Sequence, residues 1–416
     1  MGSKKLILNN QICFSSLVSC IIIIHIKNKG GILLAKNTYT IVIIYLLMML
    51  IGIIENVKGP LILSIKTFYS VDYTMMGLFL SVGSLGFILS TFFGGFLADK
   101  IGRKLVLLSG LLLIILGIIG ISMAPNFVLF LLFAFIMNMG MGSVEIGINA
   151  VAAGVFIINQ AIMMNLLHFF YGVGAIISPN MTVKLLHFNF TWQLVYLSVA
   201  ALAFILMLAT LGIKIQEGQR IIKEKINYGE ILGNKRMWLF AIMLGFYVAS
   251  ELGVGNWAVT FLRTWYKIDN TISSLYLSIF FATFTLGRLF GGFIVEKVGY
   301  LKSLSTFSLC AAVFIAIGML SKSLAFLISI SGFFYSIIFP TVIATIMKEF
   351  KKHVSAIIGI TVTIASTINM FANFLIGKLN DLFGVFVGFS VILLFMIVVV
   401  FMSSILSQTI KKEVSE

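Results

Sequence analysis

The sequence predicts an all-α membrane protein in which twelve transmembrane helices form two pseudo-symmetric bundles of six. Three observations predict this fold class. The chain is 60% hydrophobic and only 10% charged, whereas a soluble protein carries about 25% charged residues. Twelve apolar runs are long enough to cross a bilayer as helices, which takes about 20 residues each. A glycine-rich sequence that ends the second run, beginning at Gly94, recurs at Gly291 at the end of the eighth.

The polar interruptions between these runs predict the domain organisation. The longest one separates six runs from six and holds nine charged residues. We predict an N-terminal extension at 1–37, a first bundle at 38–213, a cytoplasmic linker at 214–236, a second bundle at 237–407 and a cytoplasmic tail at 408–416. The runs lie at about 38–57, 74–97, 105–123, 127–152, 160–183, 190–213, 237–258, 272–295, 303–320, 323–347, 354–377 and 384–407.

The extension at 1–37 holds an apolar stretch from Ile12 to Ile26 that is short for a membrane span. We interpret it as a mobile or interfacial segment or as the product of an upstream start codon, with a thirteenth span as the alternative. Three cysteines, Cys13, Cys20 and Cys310, form neither a disulfide framework nor a metal-binding pattern. No metal site is therefore predicted.

The distribution of lysine and arginine predicts the orientation. With both termini in the cytoplasm, 21 of these residues lie on the cytoplasmic side and seven on the outer side, as the positive-inside rule requires. Anionic lipid of the inner leaflet would reinforce this orientation. The net charge of +15 is thereby explained by the membrane, and no nucleic-acid partner is expected. We predict a multi-pass protein of the plasma membrane.

The repeated sequence predicts close helix packing in both halves. Small residues spaced four apart form a narrow helix face that lets a neighbouring helix approach closely. The alternative is a face used only for packing, although such a face can also slide. The small residues are Gly86, Ser90, Gly94 and Ala98 in the second run, and Thr283, Gly287 and Gly291 in the eighth.

The charged end of the repeat predicts a gate. The Asp99 carboxylate could accept hydrogen bonds from the N-terminus of a neighbouring helix, where the helix dipole favours negative charge. Such a latch would form in one conformation and break in another; the alternative is a loop that only sets topology. Tyr300 stands where the first copy has Arg103, which predicts a weaker latch in the second half. The predicted gating residues are Gly95, Asp99, Gly102, Arg103, Lys104, Arg288 and Glu296.

The pattern Gly95-x3-Asp99-x2-Gly102-Arg103-Lys104 resembles the signature loop between the second and third spans of the major facilitator superfamily. The six-plus-six organisation, the cytoplasmic linker and the degenerate second copy are also similar, over about residues 38–407. This resemblance implies the major facilitator fold. It also implies a central cavity between the halves and alternating access, in which one half moves against the other.

Three carboxylates lie within the apolar runs, and ionisable residues at such positions usually mark function. Glu55 ends the first run, Glu145 lies in the fourth and Glu251 in the seventh. Because Glu55 and Glu251 occupy similar places in the repeat, we expect both to face the cavity. A carboxyl group in a low-dielectric site holds a proton more tightly than one in water, so Glu145 and Glu55 are candidates for proton coupling. The alternative is a structural hydrogen bond between helices.

Amide, imidazole, phenol and indole groups in the runs predict a site for hydroxyl groups and sugar rings. Asn149 lies one turn after Glu145 and shares its face. Asn165 and His168 share a face of the fifth run, where His168 is also a candidate proton relay or a packing residue. The predicted substrate-binding residues are Asn149, Asn165, His168, Tyr171, Glu251, Asn256, Trp257, Asn369 and Asn373.

Two segments resemble the fucose–galactose–glucose:proton symporter branch of the superfamily. Glu145 and Asn149, followed by Met164 to Ala175, are similar to its fourth and fifth spans, and Tyr247 to Trp257 is similar to its seventh. The resemblance implies proton coupling by Glu145. Glu55 is the nearest candidate for the first-span acid, although it is Glu where the branch has Asp. The resemblance to the superfamily also implies a monomer.

We therefore expect proton-coupled uptake of a hexose or related sugar by alternating access, with no cofactor and with H+ as the coupling ion; sodium and the direction of transport stay open. One alternative is a proton-coupled exporter of drugs or other small metabolites, with Phe and Met lining an adaptable cavity. Another is a sugar-sensing receptor, which would need a longer cytoplasmic domain than the linker or tail provides. An enzyme is not expected, because the sequence shows no nucleophile–base–metal set.

Overall fold

The computed structural model describes residues 31–156, 160–213, 228–350 and 353–415. Within these ranges the chain is helical and contains no strand. Twelve helices in the described ranges are long and apolar enough to cross a membrane, and each coincides with one of the predicted runs. The predicted fold class is thereby confirmed. Residues 1–30 and most of the predicted linker lie outside the described residues.

The first half consists of six spans and one short helix between the first two. The described helices are α1 (Gly31–Asn56), α2 (Lys58–Tyr69), α3 (Tyr73–Ile101), α4 (Arg103–Met123), α5 (Phe127–Val155), α6 (Gln160–His187) and α7 (Trp192–Leu211).

The second half also contains six spans, and its short helix, Tyr228–Leu232, precedes the first of them. The tenth span of the chain is broken in the middle. Pro340 explains the break, because its ring clashes with the carbonyl four residues earlier, at Ser336, where the first segment ends. The described helices are α8 (Tyr228–Leu232), α9 (Lys235–Thr264), α10 (Asn270–Val298), α11 (Tyr300–Gly318), α12 (Leu327–Tyr335), α13 (Ile338–Glu349), α14 (Val354–Phe383) and α15 (Val385–Ser415).

The repeated glycine-rich sequence ends in the same backbone turn in both halves. Gly102, between α3 and α4, has φ 94° and ψ 148°. Gly299, between α10 and α11, has φ 93° and ψ 146°. Only glycine adopts this region without strain. The turn geometry therefore explains why both copies keep this glycine, and it shows that the two copies of the repeat end in the same local structure.

The faces of small residues bring equivalent helices together in the two halves. A Cβ added to Gly86 of α3 would lie 2.5 Å from the backbone oxygen of Phe135 in α5. At the equivalent position of α10, the Thr283 hydroxyl donates to the backbone oxygen of Ser329 in α12, at 2.8 Å. The predicted close approach is confirmed, between the second and fourth spans and between the eighth and tenth.

At one end of the bundle, α3 and α14 bring the two halves into close contact. We call this end, which carries the α2–α3 loop and the Phe383–Val385 turn, the closed end, and the end with Gly102 and Gly299 the motif end. At the closed end α3 crosses α14 so tightly that a Cβ on Gly77 would lie 2.5 Å from the Asn373 backbone oxygen. Glycine is required here because any side chain would push the halves apart.

Candidate functional site

A cavity of about 150 Å³ lies between the two halves. A space of this size holds several water molecules. Five of the seven helices around it contribute residues three or four apart, which share one helix face, and the other two contribute one residue each. The lining residues are Ile51, Glu55, Lys58, Leu80, Ser84, Phe87, Asn138, Met141, Glu145 and Tyr171 from the first half, and Val248, Leu252, Asn256, Ser366, Asn369 and Asn373 from the second.

Three charged side chains stand on the cavity wall, and two of them are paired. The Lys58 ammonium donates to Glu55 Oε1 at 2.7 Å. Glu145 lies within electrostatic reach of Glu55 and is only partly buried. Among the described residues we find no hydrogen-bond donor or cation paired with Glu145. It is therefore the unpaired carboxyl group of the cavity.

Tyr171 connects the embedded charges of both halves. Its phenol lies within electrostatic reach of Glu55, Glu145, Glu251 and Arg288. Gly172, the next residue of α6, packs against the side chain of Thr285 in α10, which brings this segment of α6 to the boundary between the halves. A ligand that touches Tyr171 thus lies close to the ionisable groups of both bundles.

Asparagine side chains form the polar wall contributed by the second half. Asn256 of α9 donates to Asn373 Oδ1 at 3.2 Å, and Asn373 donates to Asn369 Oδ1 at 3.2 Å. Within the described residues the Asn256 carbonyl and the Asn369 amide nitrogen keep hydrogen-bonding capacity toward the cavity. Amides offer both donors and acceptors, so this wall suits a ligand with several hydroxyl groups.

Glu251 lies outside the cavity lining, contrary to the expectation that it would mirror Glu55. The repeat relates Gly102 to Gly299, so Glu55 corresponds to Leu252 rather than to Glu251. Leu252 does line the cavity. One residue turns the helix by about 100°, and Glu251 lies instead within electrostatic reach of Arg288 and Tyr247.

The other predicted binding residues are placed as follows. His168 lies within electrostatic reach of Arg288 and is not among the residues that line the cavity. Trp257 is only 1% exposed, and its ring centroid lies 6.4 Å from that of Tyr73 at the closed end. Asn149 is partly buried and also lies outside the lining. The Asn165 side chain lies outside the described residues.

A carboxylate latches the two halves at the closed end. Asp381 of α14 accepts hydrogen bonds from the backbone of Tyr73 at 2.9 Å, and from the backbone and hydroxyl of Thr74 at 2.5 and 2.6 Å. It thereby caps the N-terminus of α3, where negative charge is favoured. The Ser81 hydroxyl adds a hydrogen bond to the Met370 backbone oxygen, at 2.6 Å. This is the latch chemistry predicted for Asp99, found at the other end of α3.

Predicted gating residues at the motif end bond within their own halves. Lys104 donates to the backbone oxygens of Leu211 and Ile213, at 2.6 and 3.0 Å, and so caps the C-terminus of α7. Tyr300 donates to Glu296 at 2.6 Å, which is a local contact across the Gly299 turn between α10 and α11.

The remaining predicted gating residues divide between the two halves. Arg103 lies over Gly154 of α5, within its own half. Arg288 stacks on Phe284, with its guanidinium carbon 4.4 Å from the ring centroid, and its buried Nε has no hydrogen-bond partner among the described residues. Gly95 and Asp99 lie in α3, but the Asp99 side chain lies outside the described residues.

Sequence reasoning missed four polar residues of the cavity: Lys58, Ser84, Asn138 and Ser366. Asn138 precedes Glu145 by two helical turns, so helix periodicity could have found it. Lys58 follows Glu55 by three residues, but a lysine beyond a span is normally interpreted as a topology signal. Nothing in the sequence distinguishes Ser84 and Ser366 from the other serines of the spans. The described residues contain no group of His, Cys, Asp or Glu side chains that could hold a metal.

Comparison with known proteins connects this architecture to a family. The family description "Major Facilitator Superfamily" matches residues 44–356, which is most of the chain. The chain is similar to a TsgA homolog of Buchnera aphidicola, with 24% identity over 78% of this chain and 84% of that protein.

Two solved structures share the fold. One is a D-xylose-proton symporter, with a TM-score of 0.76, 13% identity and coverage of 89% of this chain and 97% of that one. The other is the fucose:proton symporter of E. coli, with a TM-score of 0.60, 17% identity and coverage of 88% and 98%. Both likenesses concern the three-dimensional arrangement of the helices.

Proposed function

The chain belongs to the Major Facilitator Superfamily, a family of membrane transporters, and is therefore a multi-pass integral membrane protein with a small-molecule substrate. From this premise we propose that it is a secondary active transporter that takes up a hexose or related sugar together with a proton. The observation that carries the proposal is the unpaired carboxyl group of Glu145 in a cavity walled by amides. Two similar folds belong to sugar–proton symporters, which supports this choice.

The arrangement of the cavity supplies a path for coupling. Glu145 carries the proton, because Glu55 is occupied by Lys58 whereas Glu145 has no partner among the described residues. The asparagine wall of α9 and α14 binds the hydroxyl groups. Tyr171 lies within electrostatic reach of ionisable groups in both halves, so the binding of a ligand that contacts Tyr171 depends on the protonation state of Glu145. Protonation removes a charge whose burial is costly, and substrate binding then accompanies the change of conformation.

The conformation fits an inward-facing transporter in the predicted orientation. The contacts between the halves that involve Gly77, Ser81 and Asp381 all lie toward the closed end, which the charge distribution predicts to be the outer side. Toward the motif end of α14, Gly359 faces open space and Thr363 is exposed. In alternating access the outer latch would break when the cavity opens outward.

The proposal is tested with purified protein in vesicles that enclose a pH-sensitive dye. Addition of hexoses in turn identifies the substrate as the sugar that drives proton movement. We expect at least one hexose or related sugar to do so, with no response in protein-free vesicles. A lack of proton movement with every sugar, while binding persists, would contradict symport.

A proton-coupled exporter of lipophilic cations or metabolites is the second candidate. Phe87 and Met141 line the same cavity as the polar groups, and methionine and aromatic side chains adapt to varied apolar ligands. Expression in a sensitive bacterial host separates the two. An exporter confers resistance to lipophilic cations without sugar uptake, whereas a sugar symporter accumulates labelled sugar without conferring resistance.

A further inference from the structure

Lys58 was expected in an outer loop, but it lies inside the protein, between the two halves. It begins α2, and this short helix packs back against the second half, with Gly59 so close to α9 that an added Cβ would lie 2.5 Å from the Gly255 backbone oxygen. The Lys58 residue is only 5% exposed, and it lines the cavity. Its side chain is therefore held beneath the closed end.

The Lys58 ammonium has unused hydrogen-bonding capacity. An ammonium carries three N–H donors, and the described residues provide one acceptor, Glu55 Oε1 at 2.7 Å. Two donors thus stay available on a cavity wall, on a group that has lost most of its solvent. A buried charge in this state gains strongly from an anionic partner.

The charges of the wall set the condition under which an anion can bind. Glu55, Lys58 and Glu145 together carry one net negative charge when both acids are ionised, and none when Glu145 holds a proton. An anionic ligand is thus repelled by the first state and accepted by the second. A proton and a monovalent anion entering together add no net charge to the site.

We propose that Lys58 determines specificity by binding the carboxylate of the substrate, and that this substrate is a sugar acid such as a hexuronate rather than a neutral hexose. This inference rests on the proposed proton–sugar symport and narrows its substrate class. Lys58 takes the carboxylate through its two unused donors. Asn256 and Asn369, on the opposite half, take the hydroxyl groups, and Asn373 holds these two side chains in place.

The test compares matched ligands in vesicles with an imposed pH gradient. D-Galacturonate and D-glucuronate are compared with their methyl esters and with galactose and glucose, by uptake of label and by movement of protons. A hydrogen bond to a charged group predicts at least about tenfold faster uptake of the acid at limiting concentration. Co-transport with one proton also predicts that uptake of the acid is unaffected by a potassium diffusion potential.

Variants separate recognition of the anion from folding. Lys58→Met is expected to abolish the preference for the acid, and Lys58→Arg to retain it. Because Lys58→Met leaves Glu55 unpaired, the double variant Glu55→Gln/Lys58→Met removes both charges together, and it is expected to fold and to take up acid and ester equally. Lys322→Met is the control, since Lys322 is an exposed lysine in a loop of the second half, and it is expected to keep the preference.

Three results would overturn the inference, and they differ in what else they overturn. Proton movement with neutral hexoses, and none with uronates, contradicts the role of Lys58 and leaves the proposed symport intact. Proton movement with neither class contradicts both. An acid preference that survives in the double variant would also remove Lys58 from recognition.

Discussion

The Asp381 latch allows the conformational equilibrium to be shifted by one substitution. Asp381→Ala removes the carboxylate that caps α3 from the other half of the protein. Loss of a helix N-cap costs about 1 kcal/mol, and loss of an anion at an exposed helix N-terminus adds about 0.3–1 kcal/mol. These contacts exist only when the closed end is closed. The sum of about 1.3–2 kcal/mol therefore predicts that the open form of this end becomes about 9–30-fold more populated.

Labelling of a cavity cysteine measures this shift. Ser84→Cys places a thiol on the cavity wall and hardly changes the shape of the side chain. The native cysteines of this variant are replaced by serine. A membrane-impermeant maleimide added from the closed-end side reaches that thiol only when this end opens. The labelling rate should rise about 9–30-fold with Asp381→Ala. The native cysteines that are replaced by serine are Cys13, Cys20 and Cys310.

Asp72→Ala is the matched control for this experiment. Asp72 caps the same helix N-terminus, through Met75 N at 2.8 Å, but it belongs to the same half as α3. Its loss should lower stability equally in both conformations and leave the labelling rate unchanged. An unchanged rate with Asp381→Ala, or an equal increase with Asp72→Ala, would refute the idea that Asp381 holds the halves together.

Three further substitutions test the packing, the turn and the capping. Gly77→Ala places a methyl group against the α14 backbone and should speed labelling from the closed end, whereas Gly359→Ala, which meets open space, should not. Gly102→Ala should lower the free energy of unfolding by about 1–3 kcal/mol, because φ at this position is 94°. Gly292→Ala is the control, since Gly292 lies in a helix with open space around it, and it should not lower the free energy of unfolding. Thermal unfolding in detergent measures both variants. Hydrogen bonds from Thr271 hold the pKa of Asp269 below its usual value. The Asp269 carboxylate therefore stabilises the fold above about pH 4, and this stabilisation is lost as the pH falls through the lowered pKa. Asp269→Asn should remove this part of the acid dependence of the unfolding temperature.

The spans and the repeat could be predicted because they depend on local properties of the chain. Apolar length fixed the twelve helices, and the turn at Gly102 and Gly299 requires a backbone conformation that only glycine adopts freely. Part of the site was also predictable. Glu145 and Tyr171 are polar residues that an apolar helix carries only toward a protein interior or cavity, and both line the cavity.

The rest depended on register and on contacts between distant segments. Glu251 was expected in the cavity because it lies near the symmetry equivalent of Glu55, but a difference of one residue turns a helical side chain to another face. Lys58 follows a span directly, so the sequence indicated a loop lysine that sets the orientation of the chain. Only the packing of α2 beneath the closed end places Lys58 in the cavity. Asp381 meets α3 across the two halves, about three hundred residues apart in the chain, which no local pattern can indicate.

The central claim is that Glu145 carries the coupled proton, and Glu145→Gln tests it most directly. The variant keeps the shape of the side chain and cannot ionise. With the identified sugar, we predict that substrate-driven proton movement is lost in vesicles while exchange of labelled for unlabelled sugar continues. Glu251→Gln, which changes a carboxylate outside the cavity lining, should retain proton movement. Unchanged proton movement in Glu145→Gln would contradict the account.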